Sequence, residues 1–296
     1  MIFYQISFGP YSKNNYDEAE TLIEDYLSSL MFNCQISNAP MSVDESNKIM
    51  IWNGEVVAYV YAQGTDAGCL RYHDHLGKKA LKRLNNFFGQ LPVWRCNEDF
   101  PIKRKTDWKD APYLCIYTHY SLSDSPLVRG DNGGVVPLYR VPITHQNRVD
   151  AYCWQRLYRS LDSVYMETGD LEMSAYRALA TLESDCTKRG RTLCLAIEKA
   201  TGIPTYYYLK RIYGREYAEE KNRRCPSCGK PWFVKNSEKN ASWKIDFVCK
   251  KCRLMSSIAE TVELRYAKIG EPRKNPRSLP QSPPRKQGKT DGFLDE

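Results

Sequence analysis

The sequence predicts an α+β chain that closes with a small β module clasped by cysteines. Three observations carry that reading. Over residues 1–142, short apolar runs alternate with two amphipathic helical patterns. Over 143–221 the apolar period becomes helical and stays so. Within 222–268, two Cys-x-x-Cys pairs, Cys225/Cys228 and Cys249/Cys252, stand twenty residues apart. Residues 269–296 are proline-rich and basic with little apolar mass, and read as a disordered tail.

Taken in order, Ile2–Phe8 reads as a strand closed by Gly9-Pro10. Tyr16–Phe32 reads as a helix, because Ala19, Leu22, Ile23, Tyr26, Leu27 and Leu30 recur at three and four. Asp17 and Glu18 suit the positive end of its dipole. Asn53-Gly54 between two strand-like runs is a hairpin signal. Leu76–Phe88 reads as a second helix, with Ala80, Leu81 and Leu84 inward and Lys78, Lys79 and Lys82 outward. Leu91–Trp94 and Tyr113–Tyr120 read as strands, and Val135–Val141 as an edge strand bounded by prolines. The order resembles β-α-β-β-α-β. It predicts a ferredoxin-like or related mixed sheet with both helices on one face.

Asp150–Met166 then reads as a helix ended by Gly169. A second runs from Asp170 to about Thr187, broken by Gly190. Leu193–Ala200 is a third, stopped at Thr201-Gly202, and Tyr206–Tyr213 a fourth.

Tight turns that place two thiolates two residues apart grip one tetrahedral ion, and two such turns complete four sulfur ligands. Gly229 supplies a positive φ after the first pair, and Pro226 fixes φ within it. Trp232–Val234 and Trp243–Val248 read as the module's strands. The pattern is a zinc ribbon holding one structural Zn2+ at Cys225, Cys228, Cys249 and Cys252; two disulfide-bonded or buried pairs are the bland alternative. The seven other cysteines read mostly as small buried hydrophobes in a reducing compartment. The first residues lack a secretory pattern and no run is long and apolar enough to span a bilayer, so a cytoplasmic protein without membrane contact is expected.

The net charge is +8, yet residues 188–268 alone carry nineteen Lys/Arg against eight Asp/Glu. A local field of one sign attracts a polyanion or an acidic face. The candidate nucleic-acid contacts are Lys210, Arg211, Arg215, Arg223, Arg224, Lys250, Lys251 and Arg253, with Trp243 as a stacking platform. One rival is a protein adaptor or inhibitor docking an acidic partner through the same face. A second is an enzyme with a pocket beside the 121–134 loop, where His119 and Asp131 would converge. His73, Asp74 and His75 read as a helix cap more than as a second metal site. There is no phosphate loop, dinucleotide fingerprint, nucleophile elbow or His-Glu-x-x-His motif, so binding is expected over catalysis.

The words CPSCG, C-x-x-CRL, GIPTYYYLKRIYG and RTLCLAIEKATG together resemble a poorly characterised bacterial family of zinc-ribbon-containing proteins to which nucleic-acid binding is ascribed. The resemblance implies that the same four cysteines are metal ligands, and it implies no active site.

Overall fold

The computed structural model describes residues 1–37, 49–96, 106–122, 124–167, 169–234 and 245–272. The first unit runs β1 (Ile2–Pro10), α1 (Tyr16–Phe32), β2 (Ile36–Ser37), β3 (Ile49–Trp52), β4 (Glu55–Ala62), α2 (His75–Phe88) and β5 (Val93–Cys96). Its sheet order is β2-β4-β1-β5, and β3 also pairs with β4. All these pairings are antiparallel. β2 and β3 take opposite ends of one edge of β4, with Ile36 opposite Ala62 and Trp52 opposite Glu55. Ile2, Tyr4, Ile6 and Phe8 alternate inward and meet Val56, Ala58 and Val60 of β4 and the apolar stripes of both helices. Full burial of an Ile, Val or Phe among them contributes roughly 1.5–3 kcal/mol. Asn53 (φ 50°) and Gly54 (φ 77°) make the hairpin turn between β3 and β4. Asp74 caps α2 by accepting from Gly77 N at 2.7 Å, and Gly89 ends that helix at φ 70°.

The second unit runs β6 (Leu114–Ile116), β7 (Leu127–Arg129), α3 (His145–Glu167), α4 (Gly169–Ala180), α5 (Asp185–Thr201), β8 (Thr205–Tyr208), β9 (Tyr213–Gly214), α6 (Tyr217–Glu220), β10 (Phe247–Cys249), β11 (Leu254–Ser256) and β12 (Thr261–Val262). The second sheet has the order β10-β11-β8-β6-β7. β8 is parallel to both its neighbours, while β10 and β7 add antiparallel edges. Trp154 of α3, with Leu193 and Ile197 of α5, packs on Tyr207, Leu254 and Phe247 in one core that also takes in Cys225 and Cys249. The fold is therefore α+β, with an N-terminal sheet, a central helical region and a small cysteine-rich β region at the C-terminal end.

Four sequence expectations are corrected. Tyr206–Tyr213 is not a helix: Thr205–Tyr208 is a central strand, because three consecutive rings fill both faces of a sheet paired on each side. The strand around Tyr113–Tyr120 joins the second sheet rather than the first. Gly190 does not break a helix; it lies inside α5, where a Cβ would meet the Tyr207 ring at 2.2 Å and Trp154 Nε1 at 2.8 Å. The real break falls after Ala180, and Ser184 caps α5 by accepting from Thr187 N. The cysteines outside the Cys-x-x-Cys pairs also divide. Cys115, Cys186 and Cys194 are buried, Cys34 is half-buried, and Cys69, Cys96 and Cys153 are exposed.

The two units meet along a polar seam. Asp66 accepts from Tyr139 and Arg140, Ser125 N donates to Gln63 Oε1 at 2.7 Å, and Phe32 packs edge-on against Tyr152. The Tyr139 hydroxyl and the Arg140 guanidinium outweigh burial and hold the Asp66 carboxyl below its usual range.

Candidate metal centre

The first knuckle is a backbone turn. Gly229 N donates to Cys225 O at 2.8 Å, Cys225 N donates to Lys230 O at 3.0 Å, and Gly229 sits at φ 68°. The second knuckle, Cys249–Cys252, ends on Arg253 at φ 53°, a left-handed position where no glycine stands. Such a conformation costs a non-glycine residue roughly 1–3 kcal/mol. Arg253 is held there by a two-pronged ion pair with Glu198 at 2.8 and 2.7 Å and by donation to Lys250 O at 2.6 Å.

The turns bring one sulfur each from Cys225, Cys228, Cys249 and Cys252 within 4.8 Å of one another. Cys228 Sγ and Cys249 Sγ are 3.7 Å apart. A disulfide would bring sulfurs to about 2.05 Å. Four thiolates at about 2.3 Å from a zinc ion lie about 3.8 Å apart along the edges of the tetrahedron. The cluster is geometrically compatible with a closed structural ion. The Lys230 amide draws the Cys228 thiol down to about 7, while burial pushes Cys225 and Cys249 up. Among the described residues, no other group of His, Cys, Asp and Glu converges in this way.

The cysteine-rich region is anchored beneath by an aromatic and ionic layer. Arg223 lies over the rings of Trp232 and Phe247, at 4.8 and 4.2 Å. Its Nε is 3.0 Å from Glu220, whose two oxygens also accept from Arg211 at 2.8 and 2.9 Å. Glu220 is fully buried. Burial alone would raise its pKa, but Arg211 and Arg223 outweigh that and hold it below the usual range.

This layer corrects part of the expected nucleic-acid face. Arg211 and Arg223 are 2% and 5% exposed and spend their charge on Glu220, so they are not surface contacts. Lys210 is ion-paired to buried Asp162, Arg215 to Glu271, and Arg253 to Glu198. Arg224, Lys250 and Lys251 are exposed on the two knuckles, and no ion pair joins them to another of the described residues. Trp243 lies outside the described residues. Sequence reasoning passed over Glu220, although its spacing of three from Arg223 was a visible signal. It also passed over Glu198, whose partner is 55 residues away and left no local trace.

The histidines take structural partners. His73 is buried against Tyr26, with 2.9 Å between its Nε2 and the tyrosine oxygen, and burial pushes its pKa down. His145 Nδ1 is 2.5 Å from Asp74 Oδ2. His119 follows the carboxyl end of β6, whereas Asp131 follows the opposite end of the β6–β7 pair and is bound to buried Arg129. The converging His119–Asp131 pocket expected of an enzyme is therefore not formed.

The architecture and the four-sulfur cluster define a class: an α+β chain with a cysteine-rich β region whose geometry is compatible with a structural metal ion. Residues 109–210 match the model of a domain of unknown function (DUF2310), and residues 214–262 match a second (DUF8594). The chain is 34% identical over 164 residues to two proteins of Haemophilus influenzae, each described as "Uncharacterized protein". The match covers 55% of this chain, 79% of one relative and 61% of the other. The chain belongs to the poorly characterised bacterial family that includes these proteins. Among the described residues, no helix is long and apolar enough to cross a membrane.

Proposed function

We propose that this is a nucleic-acid-associated binding protein. Cys225, Cys228, Cys249 and Cys252 would hold one structural Zn2+, and the knuckle surface would contact the polyanion. The supporting observation is the pairing of a four-sulfur cluster with exposed cations on both of its turns, Arg224 on the first and Lys250 and Lys251 on the second. With four sulfur donors and no open position, the ion supplies rigidity rather than Lewis-acid chemistry. Rigid turns fix the side chains that follow them, so less conformational entropy is lost on binding. The strand order of the first unit, with β2 and β3 counted as one interrupted strand, supports the ferredoxin-like assignment.

The test is a salt series with duplex and single-stranded oligonucleotides. Each phosphate neutralised contributes about −0.9 to the slope of log K against log salt for duplex DNA. Replacing Arg224, Lys250 and Lys251 by alanine together flattens the duplex slope by up to about three units. Arg253→Ala leaves it nearly unchanged, because Glu198 already neutralises that charge. A triple variant with the parental slope removes the knuckles as the contact. Parent protein that binds no oligonucleotide but forms a tight complex with an acidic protein favours the adaptor reading instead.

A further inference from the structure

The first sheet has two faces, and its helices cover one. Ile2, Tyr4, Ile6 and Phe8 of β1 point into the helical core. Phe3 and Gln5 point the other way, opposite Tyr61 and Tyr59 of β4. Phe3 and Tyr59 stack at 5.5 Å with ring planes 14° apart, and Phe3 and Tyr61 lie 5.1 Å apart. None of these three rings belongs to a hydrophobic core cluster of the described residues. Arg95 of edge strand β5 is exposed directly opposite Gln5. Glu55, the acid at the far end of this face, already accepts from the Ser7 hydroxyl at 2.5 Å.

Two central antiparallel strands thus carry adjacent half-buried rings on the face away from the helices, beyond the buried Ser7 and Val57, with an amide and a guanidinium beside them. Flat π-surfaces side by side suit unpaired bases, which stack on aromatic rings whatever their identity. A duplex buries its base faces and offers no such match. A guanidinium beside the rings suits a backbone phosphate. We propose that this face binds single-stranded nucleic acid by stacking two or three bases on Phe3, Tyr59 and Tyr61, with Arg95 on the phosphate. The proposal names a strand form for the polyanion of the function proposed above. It uses residues wholly separate from the knuckles, so either reading can fail alone.

The experiment uses the full zinc-loaded chain and fluorescence anisotropy with fluorescein-labelled decauridylate, decathymidylate and a short duplex. Tyr59→Leu/Tyr61→Leu keeps apolar mass and removes the rings. It weakens single-strand binding roughly 10-fold or more and leaves duplex binding as in the parent. Tyr59→Phe/Tyr61→Phe restores single-strand binding. Should the leucine variant not fold, a 4-thiouridine oligonucleotide crosslinked to the parent chain gives an independent reading. Adducts on Phe3, Tyr59 or Tyr61 support the proposal, and adducts elsewhere only overturn it. Leucine variants that bind like the parent overturn it while leaving the knuckle reading intact. So does a parent dimer that the leucine variants convert to monomer, since the face is then an interface between copies. Loss of duplex binding in the Arg224/Lys250/Lys251 variant, with single-strand binding retained, upholds both assignments.

Discussion

Glu220 concentrates the energetics of the C-terminal region in one carboxylate. It is buried between Arg211 and Arg223, which are themselves buried. Glu220→Gln preserves shape but leaves two guanidinium groups without their shared anion. It is expected to cost about 3–5 kcal/mol in denaturant unfolding. A loss below about 1 kcal/mol would mean that Glu271, which also lies within reach of Arg211, carries the compensation instead. The same residue sets an acid limb. Its folded pKa is depressed, so its contribution is present in full above the unfolded value of about 4.3 and disappears as pH falls through the folded value. The glutamine variant should accordingly show a shallower loss of stability below about pH 4.3 than the parent. Gly190 makes a second prediction at this scale. An alanine there drives its Cβ into Tyr207 and Trp154, both fully buried. Overpacking of this kind costs roughly 1–3 kcal/mol, and an unchanged melting midpoint for Gly190→Ala would show that α5 shifts freely off the sheet.

Among the elements, β11 ties the cysteine-rich region to the rest of the chain. It pairs antiparallel with β10 inside the cysteine module and parallel with β8 outside it. The module is therefore the edge of a five-stranded sheet, continuous with the core under α3 and α5. Chelation should remove amide protection not only from residues 245–256 but also from β8 and β6. Hydrogen exchange followed by mass spectrometry checks this, and undisturbed protection of β10 and β11 after chelation would mean that no metal holds them. The helices α1 and α2 were legible because their apolar period is uninterrupted and their ends carry Asn, Asp or Gly signals. β8 was not. Tyr206, Tyr207 and Tyr208 satisfy a helical and a strand pattern equally, and only pairing with β6 and β11 decides between them.

For the molecule as a whole, part of the basic excess of residues 188–268 is neutralised in place. Asp162, Glu198 and Glu271, distant in sequence, pair with Lys210, Arg253 and Arg215, while Arg224, Lys250 and Lys251 stay exposed on the knuckles. The aromatic face of the first sheet went unread for a related reason. β4 is apolar on both sides, with Val56, Ala58 and Val60 on one and Val57, Tyr59 and Tyr61 on the other, so its alternation marks a strand without marking which side the helices take.

By itself, the sequence determined the elements with local causes. Cys225, Cys228, Cys249 and Cys252 announce their turns through spacing of a few residues, and α1, α2 and the Asn53-Gly54 hairpin follow from short-range sterics and period. Only the tertiary structure decided which strands share a sheet, that Arg215 and Arg253 are neutralised, and which face of β4 the helices cover. Those outcomes depend on contacts between residues tens of positions apart, such as Arg253 with Glu198, and no local pattern encodes such a contact.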